Sequence, residues 1–437
     1  MSPPPKDQDH LASAEPSPEG HLGWIVVGSL ATGVLAALLL AAAPFIPATE
    51  SGVTGAILLG LALGWAMLAV LTTRFTGQPQ KWAAVPALFM GLGGVLLLAF
   101  GSPMHEALTW VWPPPVLVLA VWMILQAHRQ LRSRSGRCLL YPVIAMLVLA
   151  SLGGGYETVR HLTDAAAAPA KGQLIDVGGH HLYLNCTGSG SPTVVIEAAA
   201  GQMSSDLGWI APAVARHTRV CVYDRAGRGW SDTTSARQDG AQIATDLHTL
   251  LQQGNVGGPF VLAGHSFGGL YALTFTARYP DDVAGLVLVD STAPASETER
   301  EAAHPTGTGT EDAVSRISAL VSAAARLGAG RLLGVGPRHL VSTINEYMQA
   351  GSSAQHAAAL RTYTDKPLVV LTAGTGSPPG WVASQEALAT LSTNSLHPVI
   401  DGATHASFIT DQEDAAAATR GILDVVSAVR TARPLTP

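Results

Sequence analysis

Five apolar stretches crowd the first 160 residues of this 437-residue chain, near Trp24–Ile46, Val53–Thr73, Trp82–Gly101, Trp110–Ala127 and Cys138–Tyr156. A helix needs about 20 apolar residues to cross a bilayer. The pattern therefore predicts an all-α transmembrane region over residues 23–156 with about five helices. The fourth stretch is the weakest, because Pro113, Pro114 and Pro115 shorten its helical part, although proline is tolerated in a first turn. No ionisable residue occupies the middle of any stretch, which argues against an ion or proton path. Residues 1–22 are Pro-rich and polar and read as a disordered tail. That tail is mostly acidic and four more apolar stretches follow the first, so a cleaved signal peptide is the weaker reading.

Basic residues orient such a bundle, since they favour the cytoplasmic side. Arg74 and Lys81 follow the second stretch, and Arg129, Arg132, Arg134 and Arg137 follow the fourth. The connections after the first and third contain neither Lys nor Arg. Five spans with the N-terminus inside satisfy this throughout and put the rest of the chain on the extracytoplasmic side of the cell membrane. Charged residues make up only 13% of the chain and the net charge is −6, so nothing suggests a nucleic-acid partner. Three cysteines exclude a disulfide framework and a zinc ribbon.

After a linker at 157–172 the pattern changes. Short β-branched runs (LIDV, HLYLNC, TVVIEA, RVCVYD, FVLAG, GLVLVD, LVVLTAG, HPVID) alternate with helical segments such as AQIATDLHTLLQQ and GGLYALTFTARY. Continuous apolar strands separated by helices predict a mostly parallel, eight-stranded sheet covered on both faces, opening with an antiparallel hairpin, over residues 173–432. Catalytic groups in such sheets gather beyond the C-terminal strand ends.

Three of those ends carry chemistry. FVLAG runs into Gly264-His265-Ser266-Phe267-Gly268-Gly269, a G-x-S-x-G between strand and helix. Glycines there permit the sharp turn that holds a serine outward as a nucleophile. TVVIEA ends in Ala198-Ala199-Ala200-Gly201-Gln202, a turn small enough for a substrate carbonyl to approach the main chain. The N–H of Phe267 with that of Ala200, and Gly201 close behind, are the candidate oxyanion hole. HPVID leads into a loop bearing His405, the candidate general base, while His180, His181, His217 and His248 read as surface or core residues. For the acid, Asp290 at the end of GLVLVD is preferred to Glu386, with a purely structural Asp290 as the remaining possibility.

GHSFGG, VLVDS, GATHASFI and VYDRAGRGWSD together resemble the α/β-hydrolase superfamily over about residues 172–430. The resemblance implies that VYDRAGRGWS is the loop after the fourth strand, with Asp224 and Arg225 structural. It also implies a substrate-shaping helical lid at about 292–360. Two departures are Ala199, where many members have Gly, and the lack of a carboxylate directly after the seventh strand. The superfamily strand order makes the strands of Cys186 and Cys221 neighbours, so an exported domain is expected to join them in a disulfide. Cys138 is expected to stay free.

The sequence thus points to a membrane-anchored serine hydrolase acting on a small-molecule or lipid-like acyl substrate with no cofactor and no metal. A peptidase or acyltransferase using the same three residues is one alternative. A catalytically silent membrane sensor or scaffold is another.

Overall fold

The computed structural model describes residues 18–131, 134–166, 171–234, 236–294, 308–327 and 337–436. The chain divides into two compact units, Met1–Asp164 with Glu311–Ala329, and Ala165–Thr310 with Gly330–Pro437.

The first unit is helical. Its helices are α1 (Pro18–Ala42), α2 (Glu50–Phe75), α3 (Ala84–Val111), α4 (Pro113–Gln130) and α5 (Arg134–Ala166). Among the described residues, four helical segments, Leu22–Ala42, Glu50–Phe75, Lys81–Gly101 and Arg137–Val159, are long and apolar enough to cross a membrane. The expected fifth span differs. Helix α4 has only 18 residues, three of them proline, and closes on Gln126, His128, Arg129 and Gln130, which lower its hydropathy. Two boundaries also move. Helix α1 starts at Pro18, inside the expected tail, and α5 runs to Ala166, into the expected linker. Residues 1–17 of the tail and 167–170 of the linker lie outside the described residues.

Helices α1 and α2 approach closely because the side chains between them are small. A Cβ on Gly60 would stand 2.1 Å from the backbone nitrogen of Ala37, so this crossing admits only glycine. Leu38, Leu39, Leu88, Leu92, Met146 and Leu149 are all more than half exposed, an apolar outer surface of the kind a hydrocarbon solvent covers.

A further helix, α9 (Thr308–Arg326), belongs mostly to this unit although it lies between two strands of the other. Arg316 is buried and donates to the carbonyls of Ala41 and Ile46. Those acceptors lie at and beyond the α1 C-terminus, where helix carbonyls lack intrahelical partners. Arg326 pairs with Glu50, and Ala319 packs with Ala41 and Val53.

The second unit is an α/β sandwich. Its strands are β1 (Gln173–Asp176), β2 (His181–Thr187), β3 (Val194–Glu197), β4 (Val220–Asp224), β5 (Phe260–His265), β6 (Val283–Val289), β7 (Leu368–Ala373), β8 (Ser395–Leu396) and β9 (Val399–Ile400). They lie in the order β1-β2-β4-β3-β5-β6-β7-β8, with β9 also on β7. Strand β2 is antiparallel to β1 and β4, and the other pairings are parallel. The expected eighth strand HPVID shrinks to β9, and a further short strand, β8, precedes it. Pro398 has no N–H to give a ladder and separates β8 from β9, which makes nine strands among the described residues.

Strands β3, β5 and β7 are buried along their whole length, which is why they read as unbroken apolar runs. The remaining helices are α6 (Ile210–Ala215), α7 (Gly240–Gln253), α8 (Phe267–Arg278), α10 (Pro337–Met348), α11 (Ala350–Ala357), α12 (Trp381–Ala389), α13 (Ser407–Thr410) and α14 (Gln412–Thr431). Helix α7 is capped by Asp239, which accepts from the Gln242 N–H, and it buries Ile243, Leu247, Leu250 and Leu251 on one face of the sheet. Helix α14 is capped by Asp411 and buries Ile422, Val425 and Val426 on the other. The expected lid at 292–360 is therefore divided. Helix α9 goes to the helical unit, α10 and α11 stay in the sandwich, and 295–307 and 328–336 lie outside the described residues.

Cys186 and Cys221 face each other across the β2–β4 register and are joined by a disulfide, while Cys138 is free and exposed. The bridge spans a sequence separation of 35 residues. Closing a loop of that size restricts the unfolded chain, so the Cys186→Ser, Cys221→Ser double variant is expected to lose about 2–4 kcal/mol. Denaturant unfolding of the detergent-solubilised protein, followed by tryptophan fluorescence, measures the loss.

Candidate active site

The turn after β5 places Ser266 at φ 56° and ψ −123°, a strained backbone that throws its side chain clear of the sheet. The flanking glycines are needed for space. A Cβ on Gly264 would lie 2.4 Å from the Gly268 carbonyl oxygen, and one on Gly268 would lie 2.2 Å from that of Glu197. The turn is therefore pressed against the end of β3, next to Ala198–Gln202.

Ser266, His405 and Asp290 come together although they arise from three separate strand ends. The Ser266 Oγ lies 2.9 Å from His405 Nε2, and His405 Nδ1 lies 2.6 Å from Asp290 Oδ2. Asp290 is buried, and its other oxygen accepts from the Ala373 N–H at 3.0 Å and from Trp381 Nε1 at 2.8 Å. Burial pushes its carboxyl up, but the hydrogen bonds from His405, Ala373 and Trp381 outweigh it and hold the carboxyl below the usual range. Asp290 thus presents a fixed anion to the imidazole. Glu386 lies on α12 and is not the hydrogen-bonding partner of His405.

Three supporting contacts carried no readable signal in the sequence. Trp381 stands edge-on to the His405 ring at 5.8 Å while donating to Asp290. His265, buried beside the nucleophile, lies with Nε2 2.9 Å from the carbonyl oxygen of His405 and fixes that loop. Burial, together with the nearby His405, pushes His265 down to about 4, so it stays neutral and donates through Nε2. Gln385 brackets Ser291 through both its N–H and its carbonyl, which anchors the segment following Asp290.

The turn at Ala198–Gln202 is held from behind. Ala199 gives its N–H to Gln202 Oε1, so the next N–H groups are those of Ala200 and Gly201. Arg225 donates to the carbonyls of Ala198 and Ala199, at 2.9 and 2.7 Å. Asp224 accepts from the N–H groups of Ser204 and Trp230, a structural role. Glu197, fully buried, accepts from the Tyr223 hydroxyl and lies 3.7 Å from Arg225. Burial raises its carboxyl to about 7 in spite of Arg225 and Tyr223. Among the other histidines, His180, His181 and His248 each lie beside an aspartate, Asp246, Asp232 and Asp282 respectively.

Residues 192–308 match a family model described as the alpha/beta hydrolase fold. An uncharacterized protein of Schizosaccharomyces pombe is 24% identical over 246 residues, 48% of this chain and 44% of the relative. The 2-hydroxy-6-oxo-2,4-heptadienoate hydrolase of Pseudomonas putida is 30% identical over 125 residues, 27% of this chain and 44% of that enzyme. This chain spans less than half the length of either relative. Among solved structures, a thermophilic esterase from Thermogutta terrifontis aligns with a TM-score of 0.45 at 22% identity, over 59% of this chain and 100% of the esterase. The C-terminal unit has the α/β-hydrolase fold, preceded by a region of apolar helices.

The raised Glu197 carboxyl sets a pH dependence of stability. Its folded value near 7 exceeds the ordinary 4.5, so between those limits the folded protein keeps a proton that the unfolded chain has lost. The contribution of Glu197 is present at low pH and lost as pH rises towards 7. Glu197→Gln stays neutral at every pH and is expected to gain on the order of 2 kcal/mol over the wild type between pH 5 and 8. Thermal melts of both proteins across that range measure it, and parallel curves would count against the assignment.

Proposed function

We propose that this chain is a membrane-anchored serine hydrolase that cleaves an ester or related acyl bond through a Ser-His-Asp triad and an acyl-enzyme. The observation that carries the reading is the unbroken relay from Ser266 Oγ through His405 to Asp290, at 2.9 and 2.6 Å. Ser266 Oγ attacks the acyl carbon and its proton passes to His405 Nε2. Asp290 fixes the imidazole tautomer and steadies the imidazolium. The carbonyl oxygen takes up negative charge facing the N–H groups of Phe267 and Ala200, with Gly201 adjacent. Collapse of the tetrahedral intermediate expels the alcohol, which takes the proton from His405. Water then repeats the sequence and frees the acid and the serine, with no cofactor involved.

A hydrolase domain on the same chain as apolar helices suits a small-molecule or lipid-like acyl substrate. The Cys186–Cys221 disulfide supports an oxidising compartment for the hydrolase domain, hence the extracytoplasmic side. This orientation also requires α4 to cross as a fifth span although it falls short of the other four in hydropathy, and its 18 residues, rising about 27 Å, are near the length such a crossing needs.

Two experiments test the reading. In fluorophosphonate labelling of membranes, the wild type is expected to label and Ser266→Ala to be silent. Asp290→Asn is expected to slow by about 10³–10⁴-fold while Glu386→Gln labels like the wild type. A folded wild type that does not label would overturn the hydrolase. For orientation, a membrane-impermeant maleimide is expected to reach Cys138 only after permeabilisation, and labelling in intact cells would reverse the topology.

A further inference from the structure

Behind the Ala198–Gln202 turn lies a cluster of four buried ionisable side chains, Glu197, Arg225, Arg228 and Glu346, each no more than 4% exposed. Buried ion pairs are poor stabilisers, because desolvation offsets most of their attraction. Their placement against one turn calls for another explanation.

Glu346 sits on α10, in the segment between β6 and β7. Its carboxylate accepts from Arg225 Nε at 2.7 Å and from Arg228 Nε at 3.1 Å. Those two guanidinium groups in turn donate to the turn itself, Arg225 to Ala198 and Ala199, and Arg228 to the Gln202 carbonyl at 3.3 Å. The geometry of the peptide bond makes this grip consequential. The carbonyl of Ala199 and the N–H of Ala200 share one planar unit and point in opposite directions. A guanidinium that holds the Ala199 oxygen from behind fixes where the Ala200 N–H points in front, and its positive charge polarises that N–H into a stronger donor.

The rest of α10 covers the same region. A Cβ on Gly201 would meet the Thr343 methyl at 3.4 Å, and the Tyr347 ring packs on Phe267 with centroids 5.3 Å apart. One helix thus lies against both halves of the candidate oxyanion hole.

We propose that Glu346 is a positioning residue for the oxyanion hole. Through Arg225 it sets the Ala199–Ala200 peptide, so the hole is complete only when α10 is seated. This rests on the serine-hydrolase reading, and the test separates the two.

The full-length chain is assayed in detergent with p-nitrophenyl butyrate and a fluorophosphonate, beside wild type and Ser266→Ala. Glu346→Gln keeps the shape and drops the charge. It is expected to lower kcat by about 10²-fold, as loss of an oxyanion donor does, with KM within about threefold. The fluorophosphonate rate is expected to fall in parallel, since phosphonylation also loads an oxygen in the hole. Arg225→Lys keeps a buried cation for Glu346, but a single ammonium lacks the planar fork that reaches both carbonyls. It is expected to fold, with a melting temperature near wild type, and to show the same kcat loss; Glu346→Asp is expected to restore most of the activity. The Arg225 and Glu346→Asp variants decide the matter if Glu346→Gln unfolds. A folded Glu346→Gln or Arg225→Lys with kcat within about threefold of wild type overturns the positioning role. So does a loss confined to KM or to melting temperature. If those variants behave normally while Ser266→Ala is silent, only this proposal falls. An inactive, unlabelled wild type removes the hydrolase reading and the proposal with it.

Discussion

The bond from His405 to Asp290 ties together two strand ends that lie 115 residues apart in the chain. It fastens the loop after β9 to the end of β6, across β7, and it does so with an anion that has almost no contact with water. Everything near it serves to keep that anion charged and still. The Ala373 N–H comes from the end of β7, Trp381 comes from α12, and His265 holds the imidazole loop through the His405 carbonyl. A carboxylate buried without such partners would take up a proton and lose its influence on the imidazole. The sheet therefore does more than scaffold the three groups, because the order of its strands decides which backbone donors reach Asp290.

What could be read from the sequence follows the range of the interactions concerned. Ser266 was legible because a G-x-S-x-G needs its strand, its turn and its helix within a dozen residues, all of them local. Asp290 was legible as a strand-end carboxylate, and Cys186 with Cys221 through the expected neighbourhood of their strands. Trp381 was not, since a tryptophan starting a helix carries no mark of an aspartate 91 residues earlier. Glu346 was hidden for the same reason. Its partners are 121 and 118 residues away, and on α10 it reads as one more polar residue of an amphipathic helix. Arg225 was seen as structural, but its hold on two turn carbonyls depends on a distance that no spacing encodes. In the helical unit, hydropathy located the helices well. It over-counted the ones apolar enough to span, because Trp110–Ala127 borrowed its first residues from the end of α3.

The two units solve the problem of buried polarity in opposite ways. The helices satisfy their backbone internally and pack through small residues, so the α1–α2 contact needs almost no side-chain polarity. The sandwich concentrates buried ionisable groups at one end of the sheet, where Glu197, Arg225, Arg228, Glu346 and Asp290 lie near strand termini or in the loops and helices beside them.

Helix α9 gives the two units an interleaved construction. The chain passes from the helical unit to the sandwich after Asp164, returns after Thr310 and leaves again after Ala329. A chain emerging from the ribosome therefore completes β1 to β6 first, must then supply a helix to the other unit, and only afterwards makes β7, β8 and β9. Strand β7 is a central strand carrying the N–H that holds Asp290, so the sheet has an unpaired edge on β6 until that detour is finished. Order of synthesis thus decides when the candidate site can assemble. No fragment ending before residue 405 holds Ser266, Asp290 and His405 together, and β7 joins the sheet only after the chain has supplied α9 to the helical unit.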